Sequence, residues 1–360
     1  MTLLNRYILY NFIRNLGMIM ASFISIYLLI DFFEKIDNFL DKGKSIGLIA
    51  QFFLLNIPFI IDQMSPVCIL LAGVVTLGIL NHSNELIALK ASGIPLRKIT
   101  LPIIAASMVC ILLFLAMAQF ILPTTNSTTN RIWNQEVRGM VPLGIFRHGR
   151  YYYRGQEGFY SFARPDPTRN IFTFFSYTTW DEHYQADKVI SAQRAVWDND
   201  TWTLRHGQTQ KASGDGRFTT EVFRTQHPTL PERPDHFFVP ANYTMQLSLL
   251  DLYRETRGKA SREETNRARA EFYGRISYTM LGLPLLLLGL PMLLLIYRKW
   301  GRDLSIAIPV SCGMAFACWG VWATLQSLAK VSYLNPMIAA TSIHIFMGLA
   351  GLLLLMREDT

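Results

Sequence analysis

Cysteine is scarce, and what there is lies in the wrong place for a disulfide framework. Cys68, Cys110, Cys312 and Cys318 all sit inside apolar runs, and the polar middle of the chain has none. An oxidising compartment rewards paired cysteines in polar, loop-rich parts, so these four read as small core residues. Charge is sparse too, at 17% against 51% hydrophobic residues, which argues against an ordinary soluble protein of 360 residues. The net charge of +8 is dispersed through the middle and along the edges of apolar runs. Nucleic acid calls for dense Lys/Arg stripes interleaved with aromatics, so no nucleic-acid partner is expected, and anionic lipid headgroups are the natural counterpart. Catalytic and metal signatures are missing as well. His148, His183, His206, His227 and His236 show none of the spacings that build a metal site, and no G-x-S-x-G elbow occurs. Gly43-Lys44-Ser45 mimics the end of a phosphate loop, but that motif needs Gly five residues before Gly43, where Asn38 stands. No catalytic residue, metal or cofactor is expected, so any energy for work must come from another subunit.

What is present is apolar length. A bilayer core takes about 20 apolar residues per helix, and six stretches qualify: 12–35, 55–80, 99–122, 272–297, 304–328 and 335–356. The first is too long for a signal peptide and has no clean cleavage site. The second carries Pro58, Asp62 and Pro66, which predicts a kinked outer end with Asp62 alone in its span. Lys and Arg sort the two sides. A cytoplasmic N-terminus puts Arg6, Arg14, Lys90, Arg97, Lys98, Arg298, Lys299, Arg302 and Arg357 inside, and leaves Lys35, Lys42, Lys44 and Lys330 outside.

The block between the third and fourth runs is too long for a loop and reads as β. Three tyrosines at 151–153 and Phe159–Ala163 flank a hairpin at Gly155–Gly158. Residues 171–180 are β-branched and aromatic, 195–204 reads as two short strands around Asp198-Asn199-Asp200, and Gly214-Asp215-Gly216 is a turn before Arg217–Phe223. Short strands with such turns predict a sandwich or jelly roll. Helical pieces flank them at 124–139 and 248–257. The expected class is membrane α + β: six transmembrane helices in a 3+3 layout, with a β-jelly-roll-like domain between spans three and four. The expected domains are 1–122, 123–268 and 269–360.

Between the second and third spans, residues 81–100 read NHSNELIALKASGIPLRKIT. Ser83 is placed to cap a helix from Asn84 to Ala91, with Gly93 as its stop and Pro95 preventing continuation. Two readings are open from spacing alone: an interfacial helix lying on the membrane, or a coupling helix gripped by a cytoplasmic ATPase.

Several stretches resemble the lipopolysaccharide-export permease family LptF/LptG: the opening LLNRYIL, SNELIALKASGIPLRKI after span two, and RARAEFYGRISYTMLGLPLLLLGLPM leading into span four. Ala91-Ser92-Gly93 and FFEKIDNF lie closer to the LptG branch. The resemblance implies a permease subunit of an ABC transporter in the Gram-negative inner membrane, with its β domain in the periplasm. The implied partners are an LptB-like ATPase dimer that binds the ATP, an LptF-like permease, an LptC-like bitopic protein, an LptA-like periplasmic bridge and lipopolysaccharide itself. It also implies a coupling helix over 83–93, with Glu85 as its acid and Leu86, Leu89, Ser92 and Gly93 around it.

Extraction of such a lipid needs cations at headgroup height. Arg131 and Arg138, seven apart and so on one helical face, qualify, as do Lys35, Lys42 and Lys44. Tyr151, Tyr153, Phe172, Phe174 and Trp202 are candidate liners of the β interior. Gly313, Ala317 and Gly320 form a small-residue face suited either to a lateral gate against a partner or to packing within the chain. The alternatives are a permease of another lipid or lipoprotein ABC exporter, expected to have four spans, and a membrane-anchored sensor or structural protein with a β ectodomain.

Overall fold

The computed structural model describes residues 3–138, 145–147, 150–155, 157–163, 171–181, 185–198, 201–213, 217–237, 246–257, 262–300 and 304–358. The chain divides into two compact units. One comprises Met1–Thr129, Thr244–Arg257 and Ser261–Thr360; the other comprises Asn130–Tyr243 and Gly258–Ala260.

The first unit is helical: α1 (Leu3–Asp41), α2 (Ile46–His82), α3 (Glu85–Ala91), α4 (Leu96–Phe120), α5 (Leu122–Arg131), α6 (Leu249–Glu255), α7 (Arg262–Met280), α8 (Gly282–Trp300), α9 (Leu304–Lys330) and α10 (Pro336–Arg357). Among the described residues, six helical stretches are long and apolar enough to cross a membrane, α7 and α8 jointly forming the fourth. The break between those two falls at Leu281. Pro284 explains it, since a proline lacks the N–H that would bond the carbonyl four residues back. α1 is 39 residues long, about 58 Å at 1.5 Å per residue, nearly twice a hydrocarbon core of about 30 Å. Its ends therefore project beyond the bilayer.

The second span is not interrupted at its prolines, so its outer end is not irregular: α2 is continuous helix through Pro58 and Pro66. Pro66 cannot bond the Asp62 carbonyl, but the Ser65 hydroxyl donates to that carbonyl at 3.0 Å. Side chains re-satisfying a freed backbone group are what let prolines persist in a span. α2 and α8 form the centre of the bundle. Leu70, Val74 and Leu77 pack there with Leu286, Leu290 and Leu293. Outward-facing Leu112, Leu113, Phe346 and Leu353 are exposed and suit lipid.

Three helix ends share one device. After α1, the Gly43 N–H bonds Leu40 O and the Lys44 N–H bonds Phe39 O; after α3, Gly93 and Ile94 do the same to Lys90 and Leu89; after α9, Ser332 and Tyr333 bond Ala329 and Leu328. This is the Schellman arrangement, whose first donor sits in the left-handed region. Gly43 (φ 60°), Gly93 (φ 79°) and Ser332 (φ 64°) are all there. The Gly-Lys-Ser triplet is thus a turn, with Ser45 accepting from the Leu48 N–H to open α2.

Among the described residues, the second unit holds one antiparallel sheet of seven strands in the order β1 to β7: Ile145–Arg147, Arg150–Arg154, Gly158–Ala163, Ile171–Trp180, Ala186–Asp198, Thr201–Ser213 and Arg217–Gln226. The two short strands expected at 195–204 are instead the facing ends of two 13-residue strands. Their polar, small-residue remainders hid them from a search for alternating apolar residues. The turn residues 199–200 and 214–216 lie outside the described residues, as does Arg302. The order is a meander, and the crossing connections that define a jelly roll are not among the described strands. The core is aromatic: Tyr160, Phe162, Phe172, Phe175 and Trp202 pack with Phe237 from beyond β7.

The sheet is creased along one line. The register pairs Thr173 with Arg194 and Phe175 with Ala192, then Arg194 with Arg205 and Ala192 with Gly207, then Arg205 with Thr225 and Gly207 with Phe223. The residues between them, Phe174, Gln193, His206 and Arg224, make a row across four strands where the pairing lapses. Phe174 (φ 51°) and His206 (φ 54°) are left-handed there. Alternation slips by one at the crease, so that Phe172 and Phe175 are both buried, as are Ala192 and Ala195. The expectation that Phe174 lines the interior is therefore corrected: it points outward, 66% exposed. Of the other expected liners, Tyr153, Phe172 and Trp202 are in the core and Tyr151 packs at its edge.

Candidate functional site

The hairpin between α2 and α4 carries the short helix α3. Leu86 is buried in the bundle core, and Leu89 and Ile94 pack against it from the same side. Ile87, Ala88, Lys90, Ala91, Ser92 and Gly93 are exposed. The helix is thus clamped by one apolar edge and offers the other. Ser83 does not cap α3. It closes α2, its hydroxyl bonding the Ile79 carbonyl at 3.0 Å, while Asn84 precedes α3 in the left-handed region with no side-chain cap. The Ser83 hydroxyl also lies 2.9 Å from Glu85 Oε1, and the Tyr7 hydroxyl of α1 donates to Glu85 Oε2 at 3.0 Å. Further support comes from the C-terminus: Lys90 Nζ donates to the Glu358 carbonyl at 3.4 Å, and Arg298 lies 3.8 Å from the Glu358 carboxylate. Of the expected coupling residues, Ser92 and Gly93 are exposed, Glu85 and Leu89 are half-buried, and Leu86 acts as the anchor.

At the far end of α1 the expected cations are not equivalent. Lys35 bonds Asp31 at 2.5 Å and lies 5.3 Å from the Phe52 ring centroid. Asn56 donates to the other Asp31 oxygen at 3.3 Å. Lys35 is therefore already paired, whereas Lys42 is exposed at the helix end and Lys44 follows it in the turn.

The shared face expected of Arg131 and Arg138 is corrected. The α-helix ends at Arg131, and Ile132–Val137 form a π-helix. Its i→i+5 pattern is wider than an α-turn, so seven-residue spacing no longer aligns the two. Both are exposed, and the Arg138 guanidinium stacks 5.3 Å from the Trp133 centroid.

Gly313 and Ala317 are exposed on α9 and Gly320 is half-buried. A Cβ added at either glycine would meet nothing within 4 Å. Close packing of this face inside the chain, one of the two expected readings, is not what the fold uses it for.

Sequence reasoning missed a buried polar layer among α2, α7, α9 and α10. Asp62 is not alone: Arg275 of α7 acts on it electrostatically, while Arg275 itself donates to Leu247 O at 2.6 Å. Nearby, the Ser277 hydroxyl donates to Ala340 O at 2.9 Å and meets His344 Nε2 at 2.8 Å, and Trp322 Nε1 donates to Ser277 at 3.0 Å. The signal available was Arg275, a cation inside a stretch that continues into a span, where a partner is obligatory.

Among the described residues, six helices long and apolar enough to cross a membrane, a β unit inserted in the sequence between the third and fourth, a clamped helix at a hairpin tip and no metal-type cluster fit a multi-pass membrane permease. The model of the lipopolysaccharide export system permease family LptF/LptG matches residues 6–357, and the chain belongs to that family. The match does not separate LptG from LptF. No curated protein matches the chain.

Proposed function

We propose that the chain is one half of the membrane part of an ABC exporter, extracting lipopolysaccharide from the inner membrane of a Gram-negative cell and passing it to a periplasmic bridge. The observation that carries the coupling is α3. Leu86 ties it to the core of the bundle, two hydrogen bonds orient Glu85, and an edge of Ile87, Ala88 and Ala91 is left free. A helix built this way transmits a push, because its anchor is continuous with the spans. An LptB-like ATPase dimer would hold the ATP and grip this edge, its basic groove facing Glu85, and this chain would bind no cofactor itself.

In this reading each long helix crosses the membrane once, in a 3+3 division of spans, with the drive on α3 cytoplasmic and a jelly-roll outlet periplasmic. The open α9 face of Gly313, Ala317 and Gly320 suits a gate against an LptF-like partner, with an LptC-like protein completing the complex and an LptA-like bridge receiving the lipid. The short Ala91-Ser92-Gly93 sequence favours the LptG side of that pair. Lys42, Lys44, Arg131 and Arg138 are the cations placed to meet substrate phosphates, with Lys35 available only by exchange from Asp31.

The test is co-purification of the assembled complex with and without Glu85→Ala. Weakened recovery of the ATPase with the spans intact supports the reading; unchanged association and unchanged export sink it.

A further inference from the structure

The outward face of the sheet carries a hollow of about 770 Å³ directly over the crease. Gly207 and Ala192 contribute backbone to its floor, since Gly207 has no side chain and the Ala192 methyl packs in the aromatic core. A Cβ on Gly207 would lie 2.2 Å from Ser191 O, so the floor cannot be raised without moving backbone. Arg150 and Arg224 line it, with His206 of β6 beside them, and no acid lines it among the described residues. Arg150 is half committed: one terminal nitrogen donates to Phe174 O at 2.8 Å, whereas its buried Nε has no hydrogen-bond partner among the described residues. Arg194 faces Arg205 across the same crease, adding positive charge where like charges ordinarily repel. Ser176, Ser191, Gln193 and Gln208 supply hydroxyls and amides, and Phe174 and Phe223 supply rings.

We propose that this hollow binds a phosphorylated saccharide, the headgroup portion of the exported glycolipid; the identity of that saccharide rests on the transport reading above. Two guanidiniums with no neutralising acid call for an anion, and arginine forks match phosphate bidentately. An inorganic anion alone would leave the amides, hydroxyls and rings without purpose. Sugars use all of them, since each hydroxyl needs a donor or acceptor and each ring has an apolar face. The inward face cannot take this part of the lipid, because Tyr160, Phe162, Phe172, Phe175 and Trp202 fill it with aromatic rings. Strain also fits. Two non-glycine residues in the left-handed region on one row are costly, and here they open the hollow by turning Phe174 and His206 outward.

The experiment uses the full chain in its purified complex, with a deacylated phosphorylated glucosamine disaccharide as probe, read by calorimetry. The expected result is saturable binding that Arg224→Gln weakens about tenfold, the loss of one charge-assisted bond, while Lys211→Gln, at an exposed cation of the same sheet outside the hollow's lining, leaves it unchanged. Arg150→Gln is a second variant, with circular dichroism checking that the sheet survives the lost bond to Phe174 O. The unphosphorylated disaccharide should bind at least tenfold more weakly, and so should inorganic phosphate. Equal binding by inorganic phosphate overturns the saccharide assignment, and Arg224→Gln binding like the unaltered chain overturns the site. If the probe does not bind but the complex still exports glycolipid, the inference falls and the transport reading stands. If the probe binds through Arg224 but the complex neither binds nor moves glycolipid, the transport reading falls and the hollow stands.

Discussion

The Tyr7 hydroxyl, near the start of α1, donates to Glu85 Oε2 of α3 at 3.0 Å, joining residues 78 apart in the chain. The bond makes the hairpin tip and the first span one mechanical piece. It also fixes which way the Glu85 carboxylate faces. If Glu85 is the contact for an ATPase, its orientation should matter nearly as much as its charge.

Tyr7→Phe should therefore lower substrate-stimulated ATP hydrolysis by the complex about three- to tenfold, the effect of one hydrogen bond worth about 1 kcal/mol. Glu85→Ala should lower it further. Combining the two should add little to Glu85→Ala alone, because both act through one carboxylate. Strictly additive losses would show that Tyr7 acts elsewhere.

Asp31 holds Lys35 at 2.5 Å. If Lys35 meets a lipid phosphate, it must leave Asp31 to do so. Asp31→Asn should then strengthen photo-crosslinking of lipopolysaccharide near residue 35, and Lys35→Gln should weaken it. An unchanged Asp31→Asn signal would assign the lysine a purely structural part, and Lys42 and Lys44 would remain the cations to test.

Gly351 packs so tightly that a Cβ there would lie 2.6 Å from the Leu287 carbonyl carbon of α8. Small residues at such crossings let backbones approach. Gly351→Leu should destabilise the bundle by about 1–3 kcal/mol or more, the usual cost of overpacking, seen as a lower melting temperature in detergent. Gly313→Leu and Gly320→Leu have open space around them and should melt normally, yet reduce recovery of the partner permease. Normal recovery would remove α9 from the proposed gate.

In the β unit, Tyr160 donates its buried hydroxyl to the Glu232 carboxylate, and Trp202 Nε1 donates to the Glu232 carbonyl at 2.9 Å. Burial, then the hydrogen bond to Glu232 and its charge, raise the Tyr160 phenol well above its ordinary value of 10. The folded state thus keeps a proton that the unfolded chain loses. Stability from this group is complete below pH 10 and declines as pH rises beyond it. Tyr160→Phe should flatten that alkaline decline while costing stability at neutral pH, because Glu232 loses a donor. Thermal melts from pH 8 to 11 measure both. An unaltered alkaline slope would assign the pH dependence to another group.

The six spans were legible because a bilayer imposes a length and a composition that local sequence must satisfy by itself. Gly93 was legible for a similar reason, since a Schellman turn needs a left-handed residue at a fixed offset from the helix end. The β strands announced themselves where aromatics alternate, as at 171–180, and were lost where β5 and β6 turn polar. Family membership was readable from the stretch around Glu85, where spacing within one helix turn carries the pattern.

Only the tertiary structure decided which residues meet. Tyr7 with Glu85, Ser277 with His344, and Glu232 with Tyr160 are joined by packing between distant segments, and no local rule encodes such pairings. The crease is the sharpest case. Strict alternation turns Phe172 and Phe174 to one face, but the pairing lapses at one row across four strands and Phe174 turns outward. Periodicity is a property of a single strand, whereas the bend belongs to the sheet, and a polar hollow with two arginines exists only because the whole sheet folds there.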